Sequence, residues 1–194
     1  MEKLRLGVLG SGKGSNLRAI LDAIDGGALH AEVRIVISDI ESAGILDLAR
    51  LRGLRAEYVA PGPFRTKLEA GAEQRVVSLL QNENVELVVL AGFMRIIKAP
   101  LLDAFLCRIV NIHPSLLPAF PGIEAWKQAL AAGVPTTGCT VHYVDSGMDS
   151  GEIIAQREVP VEPGDTPQSL HARIQHAEHA LYPEVLRRIA ASRS

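Results

Sequence analysis

The first half of the chain alternates short apolar runs with longer stretches of helical period. The runs are rich in Val, Ile and Leu, which is typical of strands buried on both faces of a parallel sheet. They span residues 4–9, 33–37, 57–59, 87–91 and 109–112, and the helical stretches between them span residues 16–24, 43–51 and 64–80. This order predicts an α/β fold: a doubly wound, mainly parallel sheet with helices on both faces, whose ligands bind outside the carboxyl ends of the strands.

The second half departs from this pattern, because two apolar runs follow one another with only a turn between them. Residues 139–144 and 153–161 predict strands, and the polar, glycine-bearing segment 145–151 predicts the turn. This arrangement predicts a mixed C-terminal edge to the sheet. A final helix is expected from about Pro167, with Leu170 and Ile174 on its apolar stripe, and Pro183 is expected to kink it or to end its first part.

Composition limits the possible classes of function. The 194 residues are 47% hydrophobic and carry 22 acidic against 20 basic side chains, for a formal net charge of −2. Since no linker or repeat divides the chain, a single domain over residues 1–194 is expected. A charge near zero provides no general cationic surface for nucleic acid or for an anionic membrane.

The termini and the cysteines indicate the compartment. No apolar run approaches the roughly 20 residues that cross a bilayer, and a strand pattern begins at Leu4 without the cleavage region of a signal peptide. A cytoplasmic location is therefore expected. Cys107 and Cys139 show neither CxxC spacing nor a framework of bridges, so both are predicted to be small buried core residues and not catalytic thiols.

A glycine-rich loop, Gly-Ser-Gly-Lys-Gly-Ser-Asn over residues 10–16, joins the first strand to the first helix. Its glycines let the backbone approach an anion, and the free N–H groups at the helix start supply donors. Phosphate binding is predicted, although a merely structural turn fits the spacing too. A dinucleotide cofactor is a further alternative, since Gly10, Gly12 and Asp39 fit its fingerprint, but Ser15 stands where the third glycine belongs.

A second candidate site follows the strand at 109–112, where Asn111 and His113 fall on the same side of the chain. An amide donor beside an imidazole suits acyl transfer to an amine, because the amide can hold a developing oxyanion while the imidazole moves protons near neutral pH. The alternative is a turn in which Asn111 bonds to backbone and His113 is a surface group. From the residues alone both interpretations stay open.

The polar turn at 145–151 contains two carboxylates, Asp145 and Asp149. Either could pair with an imidazole across the strand ends and favour its protonated form, and either could instead stabilise the turn, the role expected for Asp145. In the final helix, His176 and His179 are three residues apart. Neither an HExxH motif nor a carboxylate at ligand spacing accompanies them, so no metal site is predicted.

Four motifs occur in order along the chain: Gly-Lys-Gly-Ser-Asn, Leu-Ala-Gly-Phe-Met-Arg-Ile, Asn-Ile-His-Pro-Ser-Leu-Leu-Pro and Asp-Ser-Gly-Met-Asp-Ser-Gly. With them the chain resembles the folate-dependent formyltransferases from its first strand to its final helix, and among these the enzymes that act on glycinamide ribonucleotide. The resemblance implies formyl transfer from the co-substrate 10-formyltetrahydrofolate in purine (IMP) biosynthesis. It implies small-molecule substrates, no metal, no nucleic acid, no membrane, and a monomer or homodimer.

The resemblance also implies roles for individual residues. Asn111 would polarise the formyl group and contact folate, His113 would donate a proton, and Asp149 would favour the protonated form of His113. The residues implied to bind the ribonucleotide are Gly14, Ser15, Asn16, Gln175 and Glu178. The other residues implied to bind folate are Lys67, Met94, Arg95, Ile96 and Ile97. Lys67 stands where an arginine is expected, and the segment 122–126 departs from the family pattern because a histidine is expected there.

Other functions remain as alternatives. Formyltetrahydrofolate deformylase resembles the chain only after an additional N-terminal regulatory domain, for which the residues before Leu4 leave no room, and methionyl-tRNA formyltransferase would need a further C-terminal domain and a basic surface. A non-catalytic phosphate- or dinucleotide-binding module would use the glycine loop and leave Asn111 and His113 idle. Turnover in the presence and absence of the amine separates these functions.

Overall fold

The computed structural model describes residues 2–193. Its strands are β1 (Leu4–Leu9), β2 (Ala31–Ser38), β3 (Ala56–Tyr58), β4 (Leu87–Leu90), β5 (Ile109–His113), β6 (Thr136–Tyr143) and β7 (Ile153–Pro160). Its helices are α1 (Ser15–Asp25), α2 (Gly44–Leu51), α3 (Ala70–Asn82), α4 (Ala99–Ala104), α5 (Ala125–Ala131) and α6 (Pro167–Ala191). The described strands form one sheet in the order β3-β2-β1-β4-β5-β6-β7.

The sheet has a switch point between β1 and β4, which are parallel neighbours although far apart in sequence. β1 leads into the glycine loop and α1, and β4 leads into the loop 91–98. The two loops leave their strands side by side, and the Ser11 N–H donates to the carbonyl oxygen of Gly92 at 3.0 Å. In open α/β sheets the crevice beside such a point is where ligands bind.

The C-terminal edge of the sheet is antiparallel, as predicted. β5 lies parallel to β4 but antiparallel to β6, and β6 and β7 form a hairpin. β5 runs one residue further than expected and includes His113. The register pairs Asn111 with His142 and His113 with Thr140, and directly opposed residues project from the same face. The pairing therefore adds residues of β6 to the side of the sheet that carries Asn111 and His113.

Two hydrophobic clusters cover the two faces of the sheet. On one face α1, α2 and α6 pack through residues such as Leu17, Ile45 and Leu186, and on the other α3 and α4 pack through Val76 and Leu101. Burial of one such aliphatic side chain contributes about 1.5–3 kcal/mol. Helices on both faces of a mainly parallel sheet confirm the doubly wound α/β fold that the sequence predicts.

Tyr182 fixes α6 over the ends of the central strands. Its side chain is fully buried, and its hydroxyl lies 3.0 Å from the carbonyl oxygens of both Leu90 at the end of β4 and Val110 in β5. A buried hydroxyl with acceptors in two strands holds the helix in one position. Glu178, one turn earlier, is thereby held near the start of α1.

The predicted helix over 64–80 is wrong in its first part, because α3 begins only at Ala70. The preceding segment is bound to the loop after β4. The Arg95 guanidinium donates to the carbonyl oxygens of Phe64 and Arg65, each at 2.7 Å. The carbonyl oxygens of Phe64 and Arg65 accept hydrogen bonds from a distant side chain and not from a helical turn. The tertiary contact therefore prevents the helix that the apolar period predicts for this segment.

Of the two outcomes expected at Pro183, an end of the helix is wrong, because α6 continues through this residue to Ala191 and has 25 residues in all. Pro183 removes one N–H from the helix, but Tyr182, Val185 and Leu186 around it are fully buried, and their packing outweighs that loss. None of the helices within residues 2–193 is long and apolar enough to span a membrane.

The prediction for the cysteines is confirmed for one residue and wrong for the other. Cys139 is buried in β6, but Cys107 is exposed in the connection between α4 and β5, where its φ is 55°. Phe105 and Ile109 are buried on either side of Cys107, whereas its direct neighbour Leu106 is exposed as well. Two short helices, α4 and α5, were not predicted from the sequence.

Candidate active site

A cavity of about 280 Å³ lies beside the carboxyl ends of β4 and β5. The cavity is enclosed by three loops: one follows β4, one follows β5 and one follows β6. The polar side chains along it include Asn111, His113, His142 and Asp149. Its larger apolar side chains include Met94, Ile97, Ile123, Trp126 and Met148. A mainly apolar cavity with a few convergent polar groups is typical of a small-molecule site.

His113 is buried, and each of its ring nitrogens faces an acceptor. Nε2 lies 2.9 Å from the carbonyl oxygen of Phe120, and Nδ1 lies 3.4 Å from Oδ2 of Asp149. Because a carbonyl oxygen only accepts hydrogen bonds, Nε2 keeps its proton, and Nδ1 is the nitrogen that can exchange one. The Asp149 carboxylate is the acceptor that faces this nitrogen.

Asp149, and not Asp145, is the carboxylate beside the imidazole. Its φ is 51°, a conformation that aspartate tolerates better than most residues, and its Oδ2 also accepts the Gly122 N–H at 2.8 Å. This bond joins the turn after β6 to the loop after β5. Asp145 instead accepts the Gly147 N–H at 2.9 Å, and so it stabilises the turn itself.

His142 also lies at the site, although no pattern in the sequence predicted it. It is buried in β6 opposite Asn111, and the Asn111 amide nitrogen Nδ2 lies 3.2 Å from His142 Nε2. The other ring nitrogen, Nδ1, lies 2.8 Å from the carbonyl oxygen of Tyr143. Burial lowers the pKa of His142, and Asp149 opposes this only in part. The signal that could have found His142 is its position opposite Asn111 once β5 and β6 are paired.

The loop after β4 carries most of the residues expected to contact folate. Met94, Ile96 and Ile97 line the cavity, and Met94 lies at its rim with its side chain largely exposed. Lys67 does not border the cavity, because its ammonium group lies over the ring of Phe64, 4.4 Å from the ring centre. The structure therefore brings three of these side chains together and leaves Lys67 apart.

Arg95 also borders the cavity, but protein groups occupy its guanidinium. Nε donates to Oδ2 of Asp39 at 2.6 Å, and Oδ1 of Asp39 accepts the Ser11 hydroxyl at 2.5 Å. The Ser11 hydroxyl in turn accepts the Met94 N–H at 2.9 Å. Both oxygens of Asp39 are engaged, so this carboxylate is not free to bind a ribose as the dinucleotide alternative requires. The same bonds join the glycine loop to the loop after β4.

The residues expected to bind the ribonucleotide lie where α1 begins beside α6. α1 starts at Ser15, directly after Gly14, and its first turn has no side-chain cap. Asn16 is buried, and its Nδ2 donates to Oε2 of Glu178 at 3.1 Å, while its Oδ1 has no hydrogen-bond partner among the described residues. Gln175 is half-buried on α6, three residues before Glu178. Uncapped N–H groups at a helix start favour an anion.

Glu178 is expected to make stability depend on pH. Burial raises its pKa from 4.5 to about 7, and the hydrogen bond from Asn16 opposes this shift. The folded state then holds this proton more tightly than the unfolded chain, so the stabilisation present below pH 4.5 is lost as pH rises towards 7. We expect Glu178→Gln to raise the Tm by a few degrees at pH 8 and by less at pH 5.

Thermal unfolding at both pH values measures this effect. Glu158→Gln, at an exposed position of β7, is the matched control and is expected to leave the Tm nearly unchanged at both. An equal Tm difference at pH 5 and pH 8 for Glu178→Gln would contradict the assignment of a raised carboxyl pKa.

The histidines of α6 do not line the cavity. His171 stacks on Trp126 with ring centroids 3.8 Å apart and planes 4° apart. This contact packs the segment 122–126, which departs from the family pattern, against α6. His176 is exposed and His179 is half-buried. Within residues 2–193, no three His, Cys, Asp or Glu side chains are grouped so as to hold a metal ion.

Comparison with known proteins identifies the class to which this fold and site belong. A family model described as formyl transferase matches residues 4–186. Phosphoribosylglycinamide formyltransferase of Bacillus subtilis is 40% identical over 185 residues, which cover 95% of this chain and 94% of that protein. The chain therefore belongs to the formyl transferase family.

Two further relatives extend the comparison. Glycinamide ribonucleotide transformylase 1 from Symbiobacterium toebii superposes with a TM-score of 0.94 at 47% identity, over 98% of this chain and 89% of that one. The trifunctional purine biosynthetic protein adenosine-3 of Drosophila pseudoobscura pseudoobscura is 44% identical over 96% of this chain. This chain spans only 14% of the length of that trifunctional protein.

Proposed function

We propose that this chain transfers the formyl group of 10-formyltetrahydrofolate to the amine of glycinamide ribonucleotide, a step in the synthesis of purine nucleotides (IMP). The observation that carries the proposal is the juxtaposition of Asn111, His113 and Asp149 in one largely apolar cavity beside the strand ends. Membership of the formyl transferase family supports it, as do the names of the relatives that match nearly the whole chain.

The chemistry requires an oxyanion donor and a proton carrier. The substrate amine attacks the formyl carbon, forming a C–N bond and a tetrahedral intermediate with a negative oxygen. An N–H of the Asn111 amide stabilises that oxygen. The bond from carbon to N10 of the folate then breaks, N10 gains a proton, and the attacking nitrogen loses one. His113 donates through Nδ1, and Asp149 keeps the imidazolium available. No acyl-enzyme or metal is needed for this sequence.

The two substrates approach this centre from different sides. Met94, Ile96 and Ile97 supply apolar surface for the folate ring system on one side. On the other side, the N–H groups at Gly14, Ser15 and Asn16 bind the ribonucleotide phosphate, and Gln175 and Glu178 bind its ribose. Arg95 orients the loop after β4 through its bonds to Asp39 and to the carbonyl oxygens of Phe64 and Arg65. Lys67 contacts the anionic end of folate after its ammonium group moves away from the Phe64 ring.

The same proposal covers the organisation of the protein. Residues 1–194 form a single formyltransferase domain, of which Met1 and Ser194 lie outside the described residues. The protein works in the cytoplasm on small molecules, as a monomer or homodimer, without metal, nucleic acid or membrane.

A turnover assay tests the function. Protein is mixed with 10-formyltetrahydrofolate and glycinamide ribonucleotide, and release of tetrahydrofolate is followed with and without the amine. We expect release only when the amine is present. Release without the amine would indicate a deformylase, and no release with any acceptor would favour a binding module.

The glycine loop supplies a further prediction. Gly14 has a φ of 81°, and a Cβ at this position would lie 3.0 Å from Cα of Ile45. We expect Gly14→Val to displace the N–H groups from the phosphate and to raise the KM for the ribonucleotide about tenfold or more, since a hydrogen bond to a charged group is worth about 1.5–3 kcal/mol. The KM for folate should change little.

Steady-state kinetics with each substrate varied in turn measure both KM values. Gly12→Ala is the matched control, because a Cβ at Gly12 meets no atom within 4 Å. If Gly14→Val raised the KM for folate and left that for the ribonucleotide unchanged, the loop would be misassigned.

A further inference from the structure

We infer that His142 is a positioning residue that orients the Asn111 amide, so that an N–H and not the carbonyl oxygen of Asn111 faces the reacting formyl group. This inference rests on the proposed function for its consequence in turnover. Its structural part rests on two contacts of His142, one with the carbonyl oxygen of Tyr143 and one with the Asn111 amide, and concerns which atoms of the His142 and Asn111 side chains carry hydrogen.

The tautomer of His142 follows from the group beside Nδ1. That group is the carbonyl oxygen of Tyr143, 2.8 Å away, and a carbonyl oxygen only accepts hydrogen bonds. Nδ1 therefore carries the proton. Gly151 makes room for this carbonyl, because a Cβ at Gly151 would lie only 1.8 Å from the Tyr143 oxygen. The turn between β6 and β7 thus holds the acceptor against the ring.

The protonation of Nδ1 determines what Nε2 can do. In the neutral ring only one nitrogen carries hydrogen, so Nε2 presents a lone pair to Asn111. The Asn111 group 3.2 Å away must then be the NH₂ and not the oxygen, because two acceptors would repel. One N–H of the amide is bound to His142, and the second remains for a ligand in the cavity that Asn111 lines.

A doubly protonated His142 would reverse this arrangement. Its Nε2–H would require an acceptor, and the Asn111 amide would turn its oxygen towards it and withdraw its donor. The charged and titratable groups that face His142 are Asp149, with Oδ1 3.8 Å from Nε2, together with His113 and Asp145. Burial of the ring, which is 2% exposed, lowers its pKa and opposes the second proton. Asp149 therefore lies between His113, which donates a proton in the proposed reaction, and His142, which stays neutral.

Two substitutions test the inference. His142→Phe keeps a planar ring but removes the acceptor, so the Asn111 amide loses its fixed orientation. We expect kcat to fall about tenfold or more, short of the loss of a hundredfold or more expected when the donor itself is removed. Both KM values should stay nearly unchanged. His142→Gln restores an acceptor near the position of Nε2 and is expected to recover part of the lost kcat, which a merely structural role would not explain.

A spectroscopic measurement tests the tautomer directly in the wild-type protein. With ¹⁵N-labelled histidine, we expect Nδ1 of His142 to resonate as a protonated nitrogen and Nε2 as an unprotonated one at neutral pH. Protonation on Nε2, alone or with Nδ1, would overturn the inference. This measurement needs no variant, so it decides the question even if His142→Phe does not fold.

The failure of the inference and that of the proposed function are distinguishable. If the wild-type protein does not transfer formyl to the ribonucleotide, the function is wrong, and the tautomer measurement still decides how His142 orients Asn111. If the wild-type protein turns over and His142→Phe does so at the same rate, the function stands and the inference is wrong.

Discussion

Replacing Asn111 with alanine is expected to lower kcat about a hundredfold or more, the usual effect of removing one oxyanion donor. The reason is that the amide contacts an oxygen whose charge develops only in the transition state, so its loss affects turnover more than binding. The KM for the ribonucleotide should change little. Steady-state kinetics of tetrahydrofolate release measure both parameters.

Asn82→Ala, at the exposed end of α3, is the control for this experiment and should leave kcat unchanged. Thermal unfolding of Asn111→Ala shows whether the fold is retained. An unchanged kcat in a folded Asn111→Ala protein would exclude the role of oxyanion donor and would leave His113 to act without it.

Asp149→Asn is expected to produce the second large loss of turnover. The substitution keeps the shape of the side chain and an oxygen that can accept the Gly122 N–H, but it removes the negative charge 3.4 Å from His113 Nδ1. The imidazolium then lacks its counter-charge, and kcat should fall about tenfold to a hundredfold, up to the lower end of the roughly 10²–10⁴-fold that general acid catalysis contributes.

Asp145→Asn is the matched control, since Asp145 belongs to the same turn and bonds to its backbone. It should affect kcat much less. Steady-state kinetics of both variants provide the measurement. If Asp145→Asn produced the larger loss of kcat, the carboxylate that serves His113 would be misassigned. If neither variant lowered kcat, the ion pair would have no part in catalysis.

The fold could be predicted largely from local patterns. The Val- and Ile-rich runs are buried strands, and their alternation with helices implies a parallel sheet because parallel neighbours need a crossover. The error at 64–80 had a nonlocal cause: the guanidinium of Arg95 binds carbonyl groups that lie some 30 residues earlier in the chain. A period of apolar residues carries no information about such a bond.

The sequence alone determined those features of the site that depend on neighbours in the chain. Gly14 to Asn16 follow a strand and begin a helix. Asn111 and His113 are two residues apart on β5, so both side chains face the same cavity. These relations are local, and the geometry of strands and helix starts specifies them.

Only the tertiary structure decided which distant groups meet there. Asp149 and Asp145 are equivalent by spacing, and the path of the turn after β6 brings one to His113 while the other bonds to the turn. His142 reaches Asn111, 31 residues away, through the register of β5 and β6. Such contacts depend on strand pairing and loop closure over long separations, which no local pattern of residues encodes.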